Sequence, residues 1–172
     1  MIKDISHKET LLISLENSTN ELLGLLDSFS EKTINTVPFE GSWTAAQVAD
    51  HITRSNTSIT KALILNGAAI NRDPGERIEE LKDIFLNFNS KFKSPDFIVP
   101  TQDIYKKDAV LDHLKQSVLK MKEVISTTNL SEMINHPAFG DITKFEILHF
   151  VLYHTQRHIR QLEKIFLAIS GR

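Results

Sequence analysis

The sequence predicts an all-α fold: a four-helix bundle with one long crossover connection that carries a short extra helix. Three observations predict it. Apolar residues recur at steps of three and four through four long stretches, as one buried helix face requires. Two of those stretches open on a capping box. No window alternates apolar and polar residues as a half-buried strand does. All 172 residues are expected to form one such domain, since the length suits a single core and no repeat divides it.

The first helix is predicted over 5–29, with Leu12, Leu15, Leu22, Leu26 and Phe29 on one stripe. A polar loop containing Pro38 and Gly41 follows. Thr44 then caps the second helix. Its hydroxyl and the Gln47 amide can each satisfy a backbone N–H that a helix start leaves without a partner. Trp43, just before the cap, is expected in the core, stapled against Val48. Val48, Ile52, Ile59 and Leu63 carry the stripe onward until Gly67.

Between 71 and 104 the pattern breaks. Asp73-Pro74-Gly75 reads as a turn, and 76–88 as a shorter helix with Ile78, Leu81, Phe85 and Phe88 on one side. Pro95 and Pro100 interrupt an extended stretch, and the aromatic content predicts that this crossover packs on the body. The third long helix, 108–126, gathers Val110, Leu114, Val118, Met121 and Ile125. A loop through His136, Pro137 and Gly140 leads to the fourth. There Thr143 and Glu146 repeat the capping box ahead of Leu148, Leu152, Ile159, Leu162 and Phe166.

Composition narrows the function. The chain is 41% hydrophobic and 24% charged, as ordinary globular proteins are. Twenty Lys and Arg against 22 Asp and Glu give a formal charge of −2. No basic stripe stands out, so nucleic acid is not an expected partner. The absence of cysteine excludes disulfides, thiolate ligands and a cysteine nucleophile, so sulfur chemistry would need a thiol from outside. No apolar run approaches the roughly 20 residues of a membrane span, and the start of the chain does not read as a signal peptide. No membrane partner is therefore expected, and the expected location is the cytoplasm.

A helix places His154 and His158 on one face with Cβ atoms about 5–6 Å apart. Two ring nitrogens then reach one divalent metal at about 2.0–2.1 Å. His51 borders the apolar stripe of the second helix. A single histidine at such a boundary is more often a hydrogen-bonded structural residue, and the pair alone leaves both readings open. Three neutral imidazoles would leave coordination positions free, as a catalytic metal requires. His149 lies about 140° round the helix from His154; with His7, His113 and His136 it reads as a surface or boundary histidine. The capping role of Glu146 accounts for it, and it is not expected as a ligand. Gln161 and Arg157 flank the pair and are candidates to support its ligands from behind or to contact a substrate.

The stretch Gly41-Ser42-Trp43-Thr44-Ala45-Ala46-Gln47-Val48-Ala49-Asp50-His51-Ile52 resembles a motif of the DinB-like superfamily. So does the stretch from Gly140 to Glu146, followed by His154-Thr155-Gln156-Arg157-His158-Ile159-Arg160-Gln161. The family pattern is a Trp-Ser/Thr helix start leading to His-Leu/Ile, then a C-terminal His-x-x-x-His-x-x-Gln helix. Ile52 stands where leucine is commoner. The resemblance implies a four-helix bundle of DinB/YfiT type in which His51, His154 and His158 bind zinc, nickel or a similar divalent ion.

It also implies a small-molecule substrate. Some relatives resemble bacillithiol S-transferases and mycothiol-dependent maleylpyruvate isomerases; others look like metal-dependent hydrolases. The expected function is transfer of a low-molecular-weight thiol such as bacillithiol to an electrophile. The alternatives are metal-dependent hydrolysis and a non-catalytic binding or structural bundle. Neutral imidazole ligands predict a metal affinity that falls below about pH 6.5. A homodimer is expected, with Ile147 or Phe97 available for its surface.

Overall fold

In the computed structural model, residues 2–171 are described, with side chains from residue 7 onward. Five helices form: α1 (Ile2–Asp27), α2 (Ala45–Leu63), α3 (Ile78–Phe85), α4 (Lys107–Thr127) and α5 (Lys144–Ser170). The four long ones make the bundle. α2 packs on α4, α1 packs on α5, and α5 also touches α2 and α3. Both capping boxes are present, Thr44 with Gln47 and Thr143 with Glu146. The short helix of the crossover is shorter than its apolar pattern predicts, running from Ile78 to Phe85.

The expectation of no strands is corrected. β1 (Met133–His136) pairs antiparallel with β2 (Gly140–Thr143), from Met133 opposite Thr143 to His136 opposite Gly140. Phe139 donates its N–H to the His136 carbonyl, and Gly140 follows at φ 63°. That is a type I turn closed by a left-handed glycine, with Pro137 at the position where its fixed φ suits the turn. Ala68 adds a bridge to Met133. Gly67 permits this approach, because a Cβ there would sit 2.6 Å from the Glu132 Cβ. Met133-Ile134-Asn135-His136 and Gly140-Asp141-Ile142-Thr143 are short and do not alternate apolar with polar residues, which is why the sequence hides them.

The buried apolar residues form two clusters. One joins Leu22, Leu26, Phe29, Val48, Ile52, Leu114, Ile159 and Leu162. The other joins Ile59, Leu63, Leu81, Met121, Ile134, Ile142, Leu148 and Leu152. Between them lies a belt of buried polar side chains: His51, Ser55 and Asn56 from α2, Ser117 from α4, and His154, Thr155 and His158 from α5. In α2 the change from one cluster to the other falls between Ile52 and Ile59, and in α5 between Tyr153 and Ile159. Each described buried side-chain nitrogen and oxygen has a polar atom within hydrogen-bond distance.

Ile147 is fully buried in the second cluster, so its assignment to a dimer surface is corrected. α5 has neighbours on several sides, and a reading that allots it one buried face underestimates its burial. Phe97 is 51% exposed. No described helix is long and apolar enough to cross a membrane.

Candidate metal centre

The crossover is fastened to both ends of the site. Tyr105 donates its hydroxyl to Asp50 at 2.9 Å, Arg54 reaches Thr101 at 2.7 Å, and the Gln47 amide donates to the Gln102 carbonyl at 3.2 Å. These bonds tie residues 101–105 along α2. They set the preceding Ile98 carbonyl 2.9 Å from His51 Nδ1. At the other end, Arg72 forms a two-pronged pair with Glu146, the Arg77 backbone N–H donates to the same carboxylate at 2.9 Å, and the Thr143 hydroxyl donates to the Pro74 carbonyl. The Glu146 side chain is fully buried. It closes the capping box and clamps the crossover onto the start of α5, and it does not stand in the histidine cluster.

His51, His154 and His158 meet. His154 Nε2 lies 3.1 Å from His51 Nε2 and 3.0 Å from His158 Nε2. The outer nitrogens decide the tautomers. A carbonyl only accepts, so His51 carries its proton on Nδ1 toward Ile98. The His158 Nδ1–H donates in the same way to the Gln161 side-chain oxygen at 2.8 Å. Both Nε2 atoms therefore face inward as bare lone pairs. His154 has one N–H to give, so the three inward nitrogens lack a proton that would satisfy them all. A donor set short of protons fits a cation.

The distances fit as well. Bonds of about 2.0–2.1 Å hold two nitrogens about 2.9 Å apart at a right angle and about 3.4 Å apart at the tetrahedral angle. Among the described residues no other group of His, Cys, Asp or Glu gathers in this way. Gln161 stands behind His158 through that hydrogen bond. Arg157 instead donates to the carbonyls of Phe85, Asn87 and Ser90, and so holds the crossover against α5.

Burial depresses all three imidazoles. It pushes His51 below the ordinary value of 6.5, against the opposing pull of the Ile98 carbonyl. Burial, then the neighbouring His158 and His51, hold His154 well below that value. Burial, followed by His51, brings His158 down to about 3. The ligand atoms are therefore neutral at neutral pH without a metal, and a proton-linked fall in metal affinity is expected only below about pH 6.5. Below about pH 6.5 the unfolded histidines take up protons that the folded ones refuse, so the native state weakens as pH falls. Urea unfolding of metal-free protein between about pH 7.5 and pH 5 is expected to show that decline. A flat profile contradicts the neutral cluster.

The cluster opens into a cleft of about 970 Å³, within the size range of small-molecule sites. Aromatic rings build its inner wall. Trp43 lies 5.0 Å from His51 between ring centroids, Phe150 lies 5.1 Å from His154, and Phe85 packs on Phe150 and Phe139. The assignment of Trp43 to the core is amended: it touches the first apolar cluster but is only partly buried and lines the cleft.

His136 is also corrected. It is buried at the end of β1, stacks on Phe139, accepts the Ala138 N–H at Nδ1 and faces the cleft, where a surface or boundary position was expected. Burial lowers its pKa. The proline-and-glycine turn beside it is the sequence signal that could have placed it. His149 is partly buried, with Nδ1 at the Phe145 carbonyl, in keeping with a boundary residue. A second cavity of about 250 Å³ lies among α1, α2, α4 and α5; its lining, from Leu12 to Thr155, holds no histidine.

The same architecture occurs in known proteins. The structure is similar to YfiT from Bacillus subtilis, with a TM-score of 0.62 at 18% identity, covering 95% of this chain and 87% of that one. It is similar to TT2238, a four-helix bundle protein, with a TM-score of 0.59 at 19% identity, covering 91% and 98%. In sequence the chain is 25% identical over 154 residues to the uncharacterized protein YuaE of Bacillus subtilis (strain 168), covering 85% of this chain and 88% of that protein. The family model of the DinB superfamily matches residues 14–162, a span that holds His51, His154 and His158, and the chain belongs to that superfamily.

Proposed function

We propose that the chain is a divalent-metal-dependent enzyme that transfers a low-molecular-weight thiol, of bacillithiol type, to an electrophile. The observation that carries it is the convergence of three buried Nε2 atoms at the floor of an open cleft. When bound there, zinc, nickel or a similar ion supplies the Lewis acidity that turns a thiol or a water into a nucleophile near neutral pH. The chain's own residues do the rest. Ile98 and Gln161 fix the tautomers of His51 and His158, and the rings of Trp43, Phe85 and Phe150 shield the floor from water. Among the described residues, no Asp or Glu lines the cleft. Hydrolysis gains from a carboxylate base that takes a proton from water, whereas a thiol gives up its proton more readily.

Hydrolysis is the second reading, favoured by the structural similarity to YfiT, which is described as a probable metal-dependent hydrolase. One assay separates the two. Metal-loaded protein is incubated with bacillithiol and monochlorobimane, and in parallel with ester and amide substrates. Conjugation above the uncatalysed rate without hydrolysis is the expected result. Hydrolysis without conjugation overturns the transfer reading, and neither activity leaves a binding protein.

A further inference from the structure

The cleft is charged in one sense only. Its lining includes Lys91, Lys93, Arg157, Arg160 and Lys164 and, among the described residues, no acidic side chain. The whole chain carries slightly more acid than base, so the remaining surface is net acidic and the cationic excess is concentrated at this opening. A cleft lined by one sign of charge between low-dielectric walls focuses its field on a ligand of the opposite sign.

Two of the five cations are engaged by the protein. Arg157 binds three carbonyls of the crossover and lies over the Phe92 ring at 4.8 Å, and Arg160 lies over Phe88 at 4.4 Å. Lys91, Lys93 and Lys164 are exposed, and no ion pair among the described residues engages them. Arg157, Arg160 and Lys164 follow one another along one face of α5, at the steps of three and four that align helix side chains, and border the same cleft as the histidines. A molecule in the cleft therefore meets a row of cations on one side of it. Phe39, Phe92 and Phe97, each more than half exposed, stand on the same rim. Exposed rings beside unpaired ammonium groups suit one ligand chemistry.

We infer that the cleft takes an organic anion with an apolar body. Lys91, Lys93 and Lys164 hold its carboxylate or phosphate, the rim phenylalanines cover its body, and its reacting end points to His51, His154 and His158. The inference names the substrate class of the proposed enzyme and rests on the cleft being its substrate site. Its test is independent of the metal.

Trp43, the single tryptophan, lines the cleft and reports occupancy through its fluorescence. Chelator-treated protein is titrated with phenylbutyrate, with phenyl phosphate and with neutral phenylbutyramide, and calorimetry is run beside the fluorescence. One of the anions is expected to bind at least about tenfold more tightly than the amide, a preference that added salt reduces. The triple variant Lys91→Gln, Lys93→Gln, Lys164→Gln changes only exposed side chains and is expected to fold normally by circular dichroism while losing most of that preference. The anion that binds more tightly identifies the headgroup. Equal binding of anion and amide overturns the inference, as does a preference that survives in the triple variant. Failure of the metal reading would show in metal binding and leave this titration unchanged.

Discussion

Replacing His154 with alanine is expected to lower divalent-metal affinity by more than about a hundredfold. Loss of a mere outer partner of a ligand costs about 10–100-fold, and His154 is the nitrogen that both others face. Gln161→Ala should fall inside that smaller range, since it frees the His158 tautomer without removing a donor. Zinc titration of chelator-treated wild type and variants measures both. The two effects separate a ligand from its support, and equal affinities for wild type and His154→Ala would leave the cluster a hydrogen-bonded structural trio. A second consequence concerns the metal-free protein. Removing one depressed histidine removes part of the acid-side loss of stability, so the His154→Ala profile should be flatter between about pH 7 and pH 5.

Glu146→Ala is expected to be the most destabilising single change outside the apolar core, at about 3–5 kcal/mol, the range for breaking a buried charge pair. For a chain of this size that corresponds to a Tm lower by about 6–20 °C. The carboxylate accepts from the Arg72 guanidinium and from the backbone N–H groups of Thr143 and Arg77, and all of these partners lose it together. Burial alone would raise the Glu146 carboxyl, but the Arg72 and backbone hydrogen bonds outweigh it and hold the group below its ordinary value. The stabilisation is therefore complete above the carboxyl's unfolded pKa and fades as pH falls through the lower folded value. Thermal unfolding at neutral pH checks the magnitude. Hydrogen exchange should also quicken along the crossover from Arg72 to Arg77, because the clamp that fastens it to α5 is gone. Wild-type stability in the variant would contradict the role.

These residues show how far the sequence carried. Thr44 with Gln47 and Thr143 with Glu146 announce two helix starts, because a capping box needs only four consecutive residues and local geometry. The pair His154 and His158 is legible for the same reason: helix period alone sets the spacing. His51 joins them through tertiary packing, which periodicity does not encode, and the family pattern supplied it. Ile98 was beyond reach, since its contribution is a backbone carbonyl positioned by bonds that Tyr105, Arg54 and Gln47 make elsewhere. The hairpin behind His136 was hidden by its brevity, and Ile147 was misplaced because α5 is enclosed on several sides. Lys91 and Lys93 sit in a segment without periodicity, which Arg157 helps to hold against α5 through the carbonyls of Asn87 and Ser90.

His51, His154 and His158 are expected to hold one divalent ion together. Anomalous diffraction from a zinc-loaded crystal, recorded on both sides of the zinc absorption edge, tests it most directly. One edge-dependent peak is expected about 2.0–2.1 Å from all three Nε2 atoms, with Nδ1 of His51 still on the Ile98 carbonyl. A peak bound elsewhere, or three histidines still hydrogen-bonded to one another with no peak between them, would contradict it.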